Sequence, residues 1–102
     1  MAGWVRVCAL EELPPGTQRE VVCGMGEPVA LFNVGGKIHA ISGQCPHQGG
    51  PLAEGRVDNG SVSCPWHGWR FSLTPSTTPP NDLIRHYRTE IRDDGLYIAP
   101  PR

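Results

Sequence analysis

The sequence predicts an all-β fold, an antiparallel β-sandwich or barrel with a small inserted subdomain. Short runs of β-forming residues follow one another at close spacing, and turn residues separate them. The 102 residues include 13 Gly and 11 Pro, more than ordinary usage, which indicates many turns and short elements. A chain of this length is expected to form one domain over residues 1–102, with the inserted unit at about residues 43–68.

Turn signals set the limits of the predicted strands. Gly35-Gly36 and Asn59-Gly60 are two-residue hairpin turns, and Asp93-Asp94-Gly95 joins the last two strands. Residues 9–13 are expected to form a single helical turn, and residues 74–82, with three Pro, a loop. The predicted strands are 3–8, 19–23, 28–34, 37–42, 55–58, 61–63, 69–73, 85–92 and 96–99.

Two of the four cysteines, Cys8 and Cys23, fall in predicted strands. Alternation places Cys8 on one face of the first strand with Arg6, and Val5 on the other face. The first residues contain no apolar run typical of a signal peptide, so an oxidising compartment is not expected. We therefore interpret both residues as small buried thiols rather than as a disulfide.

The other two cysteines stand in matching motifs. Cys45-Pro46-His47 is followed, after sixteen intervening residues, by Cys64-Pro65-Trp66-His67. Thiolate and imidazole ligands together select iron–sulfur clusters, zinc or copper. Two Cys and two His suit a [2Fe–2S] centre in which His replaces Cys on one iron. A structural zinc site is the alternative, although zinc fingers usually place both Cys before both His.

These motifs resemble those of the Rieske [2Fe–2S] family in ligand identity, order, spacing and flanking residues. The segment Gly50-Pro51-Leu52, Gly68 and the hairpin over residues 29–42 are also similar to small Rieske ferredoxins. The resemblance implies a Rieske-type [2Fe–2S] cluster bound by Cys45, His47, Cys64 and His67. It further implies that the two cysteines hold one iron and the two histidines the other.

The resemblance also implies a function and partners. Rieske ferredoxins carry single electrons from a flavoprotein NAD(P)H reductase to a terminal oxygenase that hydroxylates aromatic or related substrates. No catalytic apparatus and no nucleotide-binding fingerprint is visible in this chain, so we expect an electron-transfer protein rather than an enzyme. The alternative from another class is the small Rieske-like subunit of a nitrite reductase or of another oxidoreductase complex.

Three positions depart from the high-potential Rieske proteins of respiratory complexes. Those proteins carry a disulfide between cysteines that match Gly50 and Trp66, and a serine that matches Trp69. Fewer donors to the cluster sulfurs favour a potential near the low end of the family, roughly −150 mV. We expect Trp69 to pack beneath the cluster, whereas Trp66 is equally compatible with packing and with partner contact.

Charge and hydropathy exclude other classes of protein. The net charge of −1 leaves no basic face for nucleic acid, and no run approaches the roughly 20 apolar residues of a membrane span. The sequence therefore predicts a cytoplasmic protein that acts as a monomer. His39 and His86 have no ligand-like neighbours in the sequence, and we interpret both as surface residues.

Overall fold

The computed structural model describes residues 3–66 and 68–101 and contains two antiparallel sheets. The larger sheet has the strand order β1-β9-β8-β4-β3-β2, and the smaller has the order β5-β6-β7. The strands are β1 Val5–Cys8, β2 Gln18–Val21, β3 Val29–Val34, β4 Lys37–Ser42, β5 Arg56–Asp58, β6 Ser61–Ser63, β7 Arg70–Ser72, β8 His86–Arg92 and β9 Gly95–Ala99. The described helices are three short 3₁₀ turns, Leu10–Glu12, Leu52–Glu54 and Asn81–Leu83. The all-β prediction is confirmed.

The hairpin of β3 and β4 is buried on both faces. Ala30 and Phe32 of β3 contribute to one core, and Val29 and Leu31 contribute to another. The first core lies between this hairpin and the smaller sheet, whose Val62 and Phe71 it includes. Because alternate residues of a strand point to opposite faces, β3 joins the two cores of the domain.

The first strand departs from simple alternation. Arg6 pairs with Tyr97 and Cys8 pairs with Leu96, so Val7 is an extra residue in a β-bulge. The bulge turns the Cys8 side chain into the core, where it is 4% exposed, while Arg6 stays exposed. The prediction that Arg6 and Cys8 share one face is therefore wrong.

Several limits of elements also differ from the predictions. The second strand ends at Val21, so Cys23 lies beyond it and is only half-buried. The predicted loop over residues 74–82 ends in the 3₁₀ turn Asn81–Leu83. All four cysteines are free thiols, which agrees with the interpretation of Cys8 as a buried thiol.

Candidate metal centre

The first loop, residues 45–52, leaves the end of β4 and folds back on itself. Cys45 donates its backbone N–H to the carbonyl of Gly50 at 2.8 Å, and its own carbonyl accepts the N–H of Gly49 at 2.7 Å. Gly49 has a φ of 76°, a conformation that costs glycine nothing and other residues appreciable strain. The loop is thus closed by backbone hydrogen bonds on both sides of its cysteine.

The second loop, residues 64–69, repeats this construction. Cys64 donates its N–H to the carbonyl of Trp69 at 2.7 Å and accepts the N–H of Gly68 at 3.0 Å. Gly68 has a φ of 74°, close to that of its counterpart in the first loop. Both motifs therefore adopt the same backbone frame, with Cys at its start and Gly four residues later.

The two loops touch at Gly50. A Cβ atom added to Gly50 would lie 2.7 Å from the Cys64 sulfur and 3.2 Å from the ring of Trp66. Real Cβ atoms do not approach so closely, so this position accepts no side chain without movement of the second loop. Positions 50 and 66 are neighbours, as expected if they match the disulfide-bonded positions of the high-potential Rieske proteins.

Both cysteines of the motifs are buried and close to each other. Cys45 is 2% exposed and Cys64 is 4% exposed, and both belong to the core beneath the smaller sheet. Burial raises the pKa of the Cys45 thiol, the backbone N–H of His47 opposes that shift, and the Cys64 thiol adds to it. Two adjacent soft donors with a backbone N–H directed at one of them fit a thiolate-ligated metal centre.

His47 lies on the exposed tip of the first loop. Its ring stacks on Trp69 with a centroid separation of 4.6 Å and an interplanar angle of 17°. Within residues 3–66 and 68–101, no three Cys, His, Asp or Glu side chains converge on one point as ligands of a single ion. His67, the fourth predicted ligand, lies outside the described residues.

The exposed tips of the two loops contain no charged residue. Pro46, Gln48, Pro65 and Trp66 are exposed there, and Trp66 is 57% exposed. Trp69 is half-buried and packs against the core that contains both cysteines. Trp66 therefore belongs to the surface, and its contact with a partner stays a prediction.

A hydrogen-bond network supports the start of the first loop, and the sequence analysis did not find it. The carboxylate of Glu27 accepts the hydroxyl of Ser42 at 2.9 Å and that of Tyr87 at 2.6 Å. The Ser42 oxygen also accepts the backbone N–H of Arg85 at 2.8 Å. Ser42 is the last residue of β4, so the network anchors the strand from which the loop departs. Local patterning contains no signal for contacts between such distant segments.

His39 and His86 connect the two sheets. The His86 ring lies 2.9 Å from the backbone oxygen of Ser72, and the His39 ring hydrogen-bonds the backbone of Leu73. Both histidines are half-buried, and burial lowers the pKa of His39. Their interpretation as surface residues is wrong. They hold the end of β7, the strand that leaves the second loop.

The comparisons with known sequences agree with this geometry. The Rieske [2Fe-2S] domain family matches residues 3–87. Ferredoxin CarAc of Metapseudomonas resinovorans is 30% identical over 99 residues, which cover 94% of this chain and 92% of that protein. Apoptosis-inducing factor 3 of Homo sapiens is 35% identical over 95 residues, or 90% of this chain and only 16% of that protein.

Solved structures share the fold. The ferredoxin in a complex of reduced oxygenase and oxidised ferredoxin of carbazole 1,9a-dioxygenase superposes with a TM-score of 0.81 at 29% identity, and the match covers 97% of this chain and 94% of that one. A structure described as an NADH-dependent nitrite reductase small subunit from Mycobacterium tuberculosis has a TM-score of 0.83 at 24% identity, with 100% and 98% covered. At that identity the likeness shows the fold alone.

The family match covers most of the chain, and the family binds a Rieske-type [2Fe–2S] cluster. CarAc is a ferredoxin of similar length, and the ferredoxin of similar structure is found together with an oxygenase. None of the helices in the described parts of the chain is long and apolar enough to cross a membrane. From its paired loops and from these matches, we conclude that this chain belongs to the Rieske [2Fe-2S] family.

Proposed function

We propose that this protein is a one-electron carrier, a Rieske ferredoxin whose cluster is bound by Cys45, Cys64, His47 and His67. The observation that supports this proposal most directly is the pairing of the two loops, which bring two buried cysteines together and leave His47 exposed. When bound, the cluster would supply reversible uptake of a single electron. The described residues would bind it, shield it and present one side of it to a partner.

The order of the ligands supports a cluster rather than zinc. Zinc fingers usually place both Cys before both His, whereas each loop of this chain places one Cys before one His. Two irons in one cluster would let the cysteines bind one iron and the histidines the other. Each loop would then contribute one thiolate and one imidazole.

The uncharged tips of the loops are the proposed docking face. Relatives of this chain include a ferredoxin found in complex with the oxygenase of carbazole 1,9a-dioxygenase. We extend that pairing to this protein: a terminal oxygenase would receive the electron at the tips, and a flavoprotein reductase would deliver it there. Such transient encounters bury little area and dissociate quickly. The protein would act as a cytoplasmic monomer, with residues 43–68 as the cluster-binding unit of a single domain.

A comparison of two cysteine variants tests the proposal. Cys45→Ser removes one thiolate ligand, so we expect loss of iron and sulfide and loss of the rhombic EPR signal of the reduced protein. Cys8→Ala is the matched control, because Cys8 is also a buried free thiol but lies in β1. It should leave iron content and the EPR signal unchanged.

Potentiometry then separates the possible roles. A signal that appears near −150 mV supports a carrier supplied by a flavoprotein reductase. A clearly positive potential would contradict this role and favour quinol- or cytochrome-linked electron transfer. A colourless protein that contains zinc would overturn the cluster assignment, and a tightly copurifying large subunit would favour the oxidoreductase-subunit alternative.

A further inference from the structure

Trp69 connects the second loop to the core and to the first loop. Its carbonyl accepts the backbone N–H of Cys64 at 2.7 Å, which closes the second loop. Its indole packs against the core beneath the smaller sheet, with its centroid 6.4 Å from that of Phe71. The backbone and the side chain are therefore both held in place, and the indole has a defined orientation.

The face of this indole lies against His47 of the other loop. The two rings are 4.6 Å apart and inclined by only 17°, which is an offset stack at close contact. His47 is on an exposed tip, whereas Trp69 is half-buried. The indole of Trp69, which is the better anchored of the two, thus covers one face of the exposed His47 imidazole.

The matching position of the first loop has no such ring. Gly50 occupies the place in the first frame that Trp69 occupies in the second, since each carbonyl accepts the N–H of the cysteine five residues earlier. A side chain at position 50 would collide with the Cys64 sulfur. The two frames share their backbone hydrogen bonds, but only the second carries an aromatic ring at this place, so the ring contact runs from Trp69 of the second loop to His47 of the first.

We propose that Trp69 is a positioning residue for His47. It sets the plane of the imidazole and excludes water from one of its faces, so that the ring keeps one orientation toward the metal centre. The inference rests on the proposed function, because it assigns a purpose to the stack only if His47 is a ligand. Electron transfer is fast when ligands move little between oxidation states, and a stacked ring has less freedom to reorient.

Two substitutions of Trp69 separate stacking from volume. Trp69→Phe keeps an aromatic face, whereas Trp69→Leu removes it. We expect Trp69→Leu to change the nitrogen hyperfine couplings of the histidine ligands in pulsed EPR. It should also shorten the half-life of the cluster in the presence of a chelator by about two- to tenfold, the range that loss of one aromatic pair implies. Trp69→Phe should restore both properties most of the way to the wild type.

Phe71→Leu is the control for general loosening of the core. Phe71 is fully buried in the same core, and its substitution should lower the urea midpoint while the nitrogen couplings stay as in the wild type. The inference is overturned if Trp69→Leu keeps wild-type couplings and half-life, or if Phe71→Leu alters the couplings equally.

Trp69→Met provides a second non-aromatic variant, because Met fills irregular space well. If neither non-aromatic variant folds by circular dichroism, Trp69 is a core residue and the positioning role is overturned. The proposed function fails in a different way, through absence of the rhombic signal from the wild-type protein. A normal wild-type signal with an unaffected Trp69→Leu variant overturns this inference alone.

Discussion

At the scale of single residues, two adjacent glycines serve the first loop for different reasons. Gly49 needs its freedom of conformation, since its φ is 76° and nothing lies near a Cβ added to it. Gly50 needs its small size, because an added Cβ would lie 2.7 Å from the Cys64 sulfur. The first requirement concerns the chain itself, and the second concerns contact between the loops.

Alanine at each glycine should therefore give a different result. Gly50→Ala forces the loops apart, and we expect it to prevent cluster uptake and to lower the free energy of unfolding by about 1–3 kcal/mol. Gly49→Ala places an alanine in the left-handed conformation, which lowers the free energy of unfolding by about 1–2 kcal/mol. It leaves the cysteines in contact, so this variant should still bind a cluster. Iron and sulfide analysis and urea denaturation measure the two effects. Equal cluster contents in the two variants would contradict this explanation.

At the scale of elements, the network around Glu27 joins the turn before β3 to the end of β4 and the start of β8. Tyr87 is 6% exposed and donates its hydroxyl to the Glu27 carboxylate. Burial is the larger cause, and the Glu27 carboxylate the next, of a shift that raises the pKa of Tyr87 from 10.0 to about 12. The phenol must stay protonated to make this bond, so the network belongs to the neutral form of Tyr87.

This shift predicts an alkaline loss of stability. Because the folded-state pKa of Tyr87 lies above the unfolded value of 10.0, its contribution is complete below pH 10 and is lost as the pH rises to about 12. After allowance for solvent screening, we expect the free energy of unfolding to fall by about 1–2 kcal/mol across that range.

Urea denaturation at several alkaline pH values measures this loss. Tyr87→Phe should remove most of it, since no phenol then titrates at this place. Tyr97→Phe is the matched control, because Tyr97 donates its hydroxyl to Asp94 at an exposed position. That variant should keep most of the alkaline loss. Loss of the effect in Tyr97→Phe rather than in Tyr87→Phe would reverse the assignment.

At the scale of the whole molecule, the distribution of charge determines how the protein meets a partner. The net charge is −1, and neither loop tip contains a charged residue. Trp66 is 57% exposed among these uncharged residues. Long-range attraction or repulsion is therefore weak at the proposed docking face, and apolar contact would provide the binding energy there.

Electron self-exchange between oxidised and reduced copies tests this description without a second protein. We expect a self-exchange rate that changes by less than about twofold between low and high salt, because little charge is available to be screened. NMR line broadening of mixed oxidation states measures the rate. Trp66→Glu adds a negative charge to the tip. Self-exchange in this variant should therefore be slower than in the wild type at low salt, and its rate should recover as salt is added.

Trp66→Gln is the matched control, since it removes the indole without adding charge. Its self-exchange rate should not depend on salt, although the loss of apolar contact will make exchange slower than in the wild type at every salt concentration. A strong salt dependence in the wild-type protein would show that exchange uses a charged face elsewhere on the molecule.

Much of this protein follows from local sequence. β-Forming runs and two-residue turns predicted all nine strands, and Asn59-Gly60 forms the expected turn, with φ values of 50° and 75°. The spacing of Cys and His identified both loops and the family. Such features depend on residues near one another in the chain, where propensity, turn chemistry and motif spacing act directly.

The tertiary structure decided the remainder. The bulge that buries Cys8, the stack of Trp69 on His47, and the connection of His39 and His86 to the end of β7 all join segments that are distant in the sequence. Alternation within one strand reports the two faces of that strand but not what covers them. Because packing between remote segments selects these contacts, they became visible only when the whole chain was folded.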